Sequence, residues 1–198
     1  MKKTLLLLTL LLAGSASLRA QDWKDALSKV ATAAADKATG GKLTQLAVIG
    51  TWEYSGPGIK LESDDTLSEL GGSALSSGLE KRLEPVYTAI GIKPGACRFT
   101  FGKEGDFQAL LGNRTLEGTY EFDASTHVMT LHLNKAVGKL GTLNGHAYLS
   151  GTQMQLVFPS EKLLELVSGL GAKVSSLRSL TSALDKYKSI AIGFNFSK

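Results

Sequence analysis

The segment Val48-Ile49-Gly50-Thr51-Trp52-Glu53-Tyr54 decides how the rest of the chain is read. Side chains of a strand alternate between its two faces, so Gly50, Trp52 and Tyr54 share one side while Thr51 and Glu53 share the other. A glycine and two large rings opposed by polar residues describe a half-buried strand with its apolar face turned to a core. Downstream, Gly56-Pro57-Gly58 is a turn cluster and is expected to break this strand. Upstream, Trp23, Leu27, Val30 and Ala34 recur at helical spacing between Asp22 and Lys37. This predicts a modest amphipathic helix, ended by Gly40 and Gly41, with a short connection to residue 47.

Beyond the strand the period changes. From Asp65 to Ile92 the residues Leu67, Leu70, Ala74, Leu79, Leu83, Val86 and Ile90 line one helical face, with Asp65 or Thr66 and Glu69 placed to cap its start. Gly71, Gly72 and Pro85 predict two or three short helices here rather than one rod. After Pro94 alternating segments follow at intervals of about ten residues, the rhythm of a sandwich or barrel. Strands are expected at Ala96 to Phe101, Asp106 to Leu111, Leu116 to Asp123, Val128 to Leu133, Thr142 to Ser150 and Gln153 to Phe158. Turns at Gly102 to Gly105, Asp123 to Thr126 and Gly151-Thr152 join them. Ser160 to Lys188 returns to a helical period through Leu163, Val167, Leu170, Val174, Leu177, Leu180 and Leu184. A last strand then alternates Ile190, Ile192, Phe194 and Phe196 with smaller residues. The total is eight strands, which as successive antiparallel neighbours can close and so remove both sheet edges. The expected fold is mainly β: an up-and-down barrel over residues 48–198, with helical insertions at 65–92 and 160–188.

With Gly50 and Trp52 on the first strand, the chain resembles the lipocalin and wider calycin group. The resemblance implies that Gly50 permits close backbone approach and that the Trp52 indole plugs one end of the barrel beneath a basic side chain. Arg98, Arg114 and Lys188 are candidates for that cover. The leader, the helical stretch after strand one and the long helix before the last strand are similar to a Bacteroidales family of secreted lipocalin-like domains of unknown function. Two departures from ordinary lipocalins stand out: the last strand follows the final helix, and a helical block separates strands one and two.

The first twenty residues carry Lys2 and Lys3, an apolar run from Leu5 to Ala13 relieved by Thr9, and small residues up to Ala20. This is the layout of a signal peptide, too short for a spanning helix of about 20 apolar residues. Cleavage near Ala20 is expected to deliver the chain to the periplasm or the exterior. The sole cysteine, Cys97, is far from that point, so neither a lipoprotein anchor nor an intramolecular disulfide is expected. Loss of Lys2, Lys3 and Arg19 lowers the formal charge from +4 to +1, and with it the electrostatic footprint that nucleic-acid binding requires. Strands of six or seven residues and amphipathic helices between them do not fit an outer-membrane barrel, whose strands need about 9–11 residues.

Residues that carry chemistry are few. There is no Gly-x-Ser-x-Gly elbow, and Gly41-Lys42 runs into Leu43 where a phosphate-binding loop needs a hydroxyl. Of the three histidines, alternation sets His127 and His132 on opposite faces, and pairing brings His146 nearer Met129 than His132. Zinc needs three or four converging ligands, so no metal is expected. Cys97 alternates with Phe99 and Phe101 and reads as a buried apolar residue without an activating base. Glu117, Glu121 and Asp123 read as a solvated strand face. The sequons at Asn113 and Asn195 carry no weight behind a bacterial leader.

No enzyme and no cofactor are therefore expected. The leading functional reading is a secreted protein that binds a small apolar, lipid-like molecule. Phe99, Phe101, Phe107, Tyr120, Phe122, Met154, Leu156, Ile192 and Phe194 are its candidate barrel lining. The alternative is a structural or protein-interaction module of the cell envelope whose barrel is filled by those same side chains. Gly118, Gly145, Ala147 and Gly193 mark either inner space or close approach of another element.

Overall fold

The computed structural model describes residues 42–61, 68–184 and 190–198. The expected leader, the helix at Asp22 to Lys37, the capping residues Asp65 and Thr66, and Lys188 lie outside the described residues. A short helix α1 (Lys42–Ala47), where a connection was expected, leads into β1 (Gly50–Leu61). Helix α2 (Ser68–Ala89) precedes the run β2 (Cys97–Phe101), β3 (Asp106–Leu111), β4 (Arg114–Asp123), β5 (Val128–Val137), β6 (Leu140–Ser150) and β7 (Gln153–Pro159). Helices α3 (Ser160–Gly169) and α4 (Val174–Leu184) then separate β7 from β8 (Ile190–Ser197). The eight strands form a closed barrel in sequence order, each antiparallel to its neighbours, with β8 pairing back onto β1.

Closure fixes where everything else goes. The hairpins at Gly102 to Gly105, Asp123 to His127 and Gly151-Thr152 all lie at the end where β1 begins. The β3–β4 and β5–β6 turns and both helical insertions lie at the other end. Trp52 thus sits toward one end of the barrel, and the helices gather over the opposite one. Inner positions are apolar while the outer wall carries Glu53, Arg98, Gln108, Glu117 and Asn144, all exposed. An outer-membrane barrel has the reverse arrangement. No helix among the described residues is long and apolar enough to cross a membrane.

Several boundaries differ from expectation for identifiable reasons. Gly56-Pro57-Gly58 does not break β1. The register shifts between Tyr54 and Gly56, and the strand continues along β8 to Leu61. The bulge takes up the ladder interruption that Pro57 would otherwise cause, and Asn195 Nδ2 donates to the Pro57 carbonyl at 2.7 Å. A Cβ at Gly58 would stand 3.0 Å from the Phe194 backbone, so glycine is what lets the two strands meet there. Helix α2 is one rod, not two or three. Pro85 and Lys81, whose carbonyl loses its usual donor, are both on the exposed side where water replaces the bond. The expected single helix from Ser160 to Lys188 is instead split. Gly171, at φ +100°, ends α3, with its N–H donating to Ser168 O and that of Ala172 to Val167 O.

Candidate functional site

The barrel interior is the first place to look. All the candidate lining residues lie on the inner face: Phe99, Phe101, Phe107, Phe122, Met154, Leu156, Ile192 and Phe194 are buried, and Tyr120 is half-buried. Several of them touch one another. Phe99 lies 5.7 Å from Phe194 and 5.1 Å from Phe196, and Phe101 meets Tyr120 edge-on at 4.9 Å. Tyr120 donates its hydroxyl to Gly102 O at 2.8 Å, which fixes its ring at the end of the chain of aromatics. The inward glycines do not mark open space. A Cβ at Gly118 would collide with the His132 carbonyl and come within 2.9 Å of the Phe107 ring. One at Gly145 would meet the Val157 carbonyl and lie 2.5 Å from the Phe158 ring. These glycines are where neighbouring rings lie flat against the wall.

Helix α2 reaches into this interior, a feature that helical periodicity alone does not reveal. Tyr87 is fully buried, 6.4 Å from the Tyr54 ring and 5.4 Å from that of Phe194, and its hydroxyl donates to Gly193 O at 3.0 Å. Burial drives the Tyr87 phenol far above its ordinary ionisation range, with Tyr54 and Cys97 adding to the effect. The ring is thus a neutral donor held among rings, satisfying one carbonyl of β8.

The opposite end is closed by Trp52. Its indole is wholly buried, and its Nε1–H donates to Val48 O at 2.7 Å. Of the candidate basic residues, Arg98 and Arg114 are exposed on the outer wall and at a turn, and Lys188 lies outside the described residues; among the described residues the cover is Lys198. Lys198 Nζ stands 4.2 Å from the indole centroid and donates to Ala47 O at 2.9 Å and Ile49 O at 2.8 Å. Burial against this end lowers the Lys198 ammonium below the usual lysine range. Gly50, at φ +118°, holds the start of β1 in a conformation that other residues rarely adopt, and Lys198 packs over it. Its position one residue beyond the alternating run of β8 kept Lys198 out of the sequence reading.

Several of the remaining polar groups have structural employment, whereas His127 Nδ1 is buried without a hydrogen-bond partner. Cys97 is buried, and burial followed by the nearby Glu53 pushes its thiol up to about 12, far from a nucleophile at neutral pH. Glu117 accepts from Gln108 Nε2 at 3.0 Å, Glu121 lies 3.8 Å from His132, and Asp123 caps the β4–β5 turn. His127 and His132 are not on opposite faces as alternation predicts. His127 belongs to the turn, with φ +60°, and its ring lies 5.0 Å from that of outward-facing Tyr148. His146 pairs with Val128, beside Met129, and His132 with Thr142. Among the described residues no three His, Cys, Asp or Glu side chains converge as metal ligands.

On the outer wall, β6, β7, β8 and β1 form an open concavity of about 670 Å³, floored by Tyr148, Ser150, Gln153, Gln155, Asn195 and Ser197. Their positions follow from register: Tyr148, Gln155 and Asn195 make one row across the strands, and Ser150, Gln153 and Ser197 make the next.

A closed eight-stranded barrel with Gly50 and a plugging Trp52 on its first strand defines a lipocalin-like domain. The chain belongs to the lipocalin-like domain family DUF4923, whose model matches residues 23–198. A crystal structure of a DUF4847 family protein from Bacteroides vulgatus ATCC 8482 is similar over 78% of this chain and 96% of that one, with 14% identity and a TM-score of 0.36. Comparison with curated proteins gave no match.

Proposed function

We propose that this protein is an exported, non-enzymatic module whose barrel interior is a packed core and whose partners are met on its outer surface, in the envelope or outside the cell. The observation that carries this reading is Tyr87. It occupies the interior among Tyr54 and Phe194 and is anchored to the wall at Gly193 O. A ligand at that level would have to displace a fully buried ring and strand a carbonyl, at a cost of several kcal/mol. Export rests on the leader.

A second reading is favoured by the family's lipocalin-like character: α2 acts as a lid, and its withdrawal opens a site for an apolar molecule lined by Phe99, Phe194 and their neighbours. The two separate in one experiment. Delipidated protein is melted with and without saturating fatty acids and sterols, because a ligand that binds only the native state raises the melting point. The packed-core reading predicts no shift with any of them. A reproducible rise, with quenching of inner-face fluorescence, would replace it by the lid reading.

A further inference from the structure

The outer concavity on β6, β7, β8 and β1 differs from the rest of the wall in chemistry. Its two cross-strand rows consist of Tyr148, Gln155 and Asn195, then Ser150, Gln153 and Ser197, all uncharged. Two charges of opposite sign stand at its edge: Lys60 Nζ lies 4.2 Å over the Tyr148 ring, and Glu53 pairs with Ser197. Elsewhere the outer faces of β2 to β4 present Arg98, Asp106, Glu117 and Glu121. The concavity includes Ser55, at the register shift between Tyr54 and Gly56 of β1. Most of its polar residues are half-buried, as groups inside a hollow are, while Gln153 stands exposed at its rim. Part of the floor is held rigid. Gln155 Nε2 donates to Asn195 Oδ1 at 3.1 Å, and Asn195 Nδ2 donates to Pro57 O at 2.7 Å. These bonds orient the Gln155 carbonyl oxygen as an acceptor, beside the Gln153 amide with its two donors and acceptor and the Ser150 and Ser197 hydroxyls.

We propose that this ledge binds a neutral, multiply hydroxylated ligand, and that a short uncharged oligosaccharide is the class it fits. Vicinal hydroxyls are both donors and acceptors, and paired amide and hydroxyl groups at strand spacing match that double character. The floor itself is uncharged, and Lys60 and Glu53 at its edge are of opposite sign, so neither an anion nor a cation meets a net counter-charge. A volume of about 670 Å³ lies in the range of small-ligand sites. A peptide is disfavoured because the barrel is closed and offers no free strand edge for main-chain pairing. The inference deepens the outer-surface reading above and rests on it, but its test reports on a different face of the strands.

The test uses the isotope-labelled mature chain and follows the side-chain amide signals of Gln153, Gln155 and Asn195. Cellohexaose, maltohexaose and mannohexaose are titrated to millimolar concentration beside hexagalacturonate and a sulfated heparin hexasaccharide. The ledge predicts saturable shifts of these amides with at least one neutral series, and none with the charged sugars at the same concentration. Gln153→Ala is exposed and leaves the core untouched; it should weaken binding about tenfold, the scale of one or two lost hydrogen bonds, with an unchanged melting point. Ser150→Ala provides a second, milder variant with a smaller loss. Silence of the amides to all neutral series, tighter binding of a charged sugar, or an affinity indifferent to both variants would overturn the proposal. A lipid-induced rise in melting point with intact sugar binding would remove the packed-core reading and leave the ledge standing.

Discussion

Along β7 and β8, Met154, Leu156, Phe194 and Phe196 face inward and are buried to within 2% exposure, while the residues between them, Gln153, Gln155, Asn195 and Ser197, face outward and carry neutral hydrogen-bonding groups. The same two strands thus serve a dense interior and a hollow exterior. Inside, rings lie against inward glycines and a helix contributes Tyr87. Outside, most of the polar groups lining the hollow beside the β1 register shift are half-buried. A barrel of eight strands is wide enough for packed side chains or for one small ligand. What decides between them is side-chain volume, and in the packed-core proposal that volume fills the interior.

That contrast breaks most easily at Trp52 and Tyr87. Trp52→Ala should cost about 3–5 kcal/mol in chemical denaturation, since the indole is wholly buried and its neighbours cannot fully collapse. A loss under about 1 kcal/mol would mean the indole does not close that end. Tyr87→Ala should cost a similar amount and, more tellingly, create an inner cavity. The variant should then take up small apolar probes that the parent refuses, as engineered apolar cavities do.

Gly118→Ala tests the claim that inward glycines mark occupied space. With the His132 carbonyl in the way, the added methyl should destabilise by about 1–3 kcal/mol or shift the β4–β5 pairing. A neutral or stabilising result would reveal space on the inner face. Lys198→Ala removes two charge-assisted hydrogen bonds and the contact with the indole, all at an exposed ammonium, and should cost about 1–2 kcal/mol while leaving Trp52 buried.

The smallest effect is expected on the outer wall at Asp123. Hydrogen bonds from the Ser125 hydroxyl, the Thr126 hydroxyl and the Ser125 N–H hold its carboxyl down at about 2. Because the folded value is depressed, the stabilisation is present above the unfolded value near 4 and is lost as pH falls through about 2. Asp123→Ala should therefore be slightly less stable than the parent at pH 6, with the gap closing by pH 2. A gap that stays constant across this range would show that the turn does not depend on the charge.

Much of the barrel is readable because alternation is local. The strands from Asp106 to Leu111 and from Gln153 onward begin where the pattern of apolar and polar residues begins, and their turns carry Gly105 and Gly151 at positive φ. The failures are non-local. Pro57 belongs inside β1 only because a bulge and Asn195 from a distant strand accommodate it. Pro85 is harmless in α2 because its missing bond falls on the solvent side, a fact fixed by packing and not by composition. Lys198 covers Trp52 because β8 closes against β1, and Tyr87 enters the barrel because α2 lies over the end opposite Trp52. The aromatic inner residues were legible as a set; whether they would enclose space or fill it was not, because that depends on how their volumes interlock. The outer ledge gave no signal in the sequence, since its rows arise from the register of four strands.

The most direct test of the packed interior is a set of through-space proton contacts from the Tyr87 ring, measured on delipidated protein and again with saturating oleate. The account predicts contacts to Tyr54 and Phe194 that are identical in both samples. Their loss on adding oleate, with new contacts between the acyl chain and Phe99 or Phe194, would contradict it and make α2 a lid.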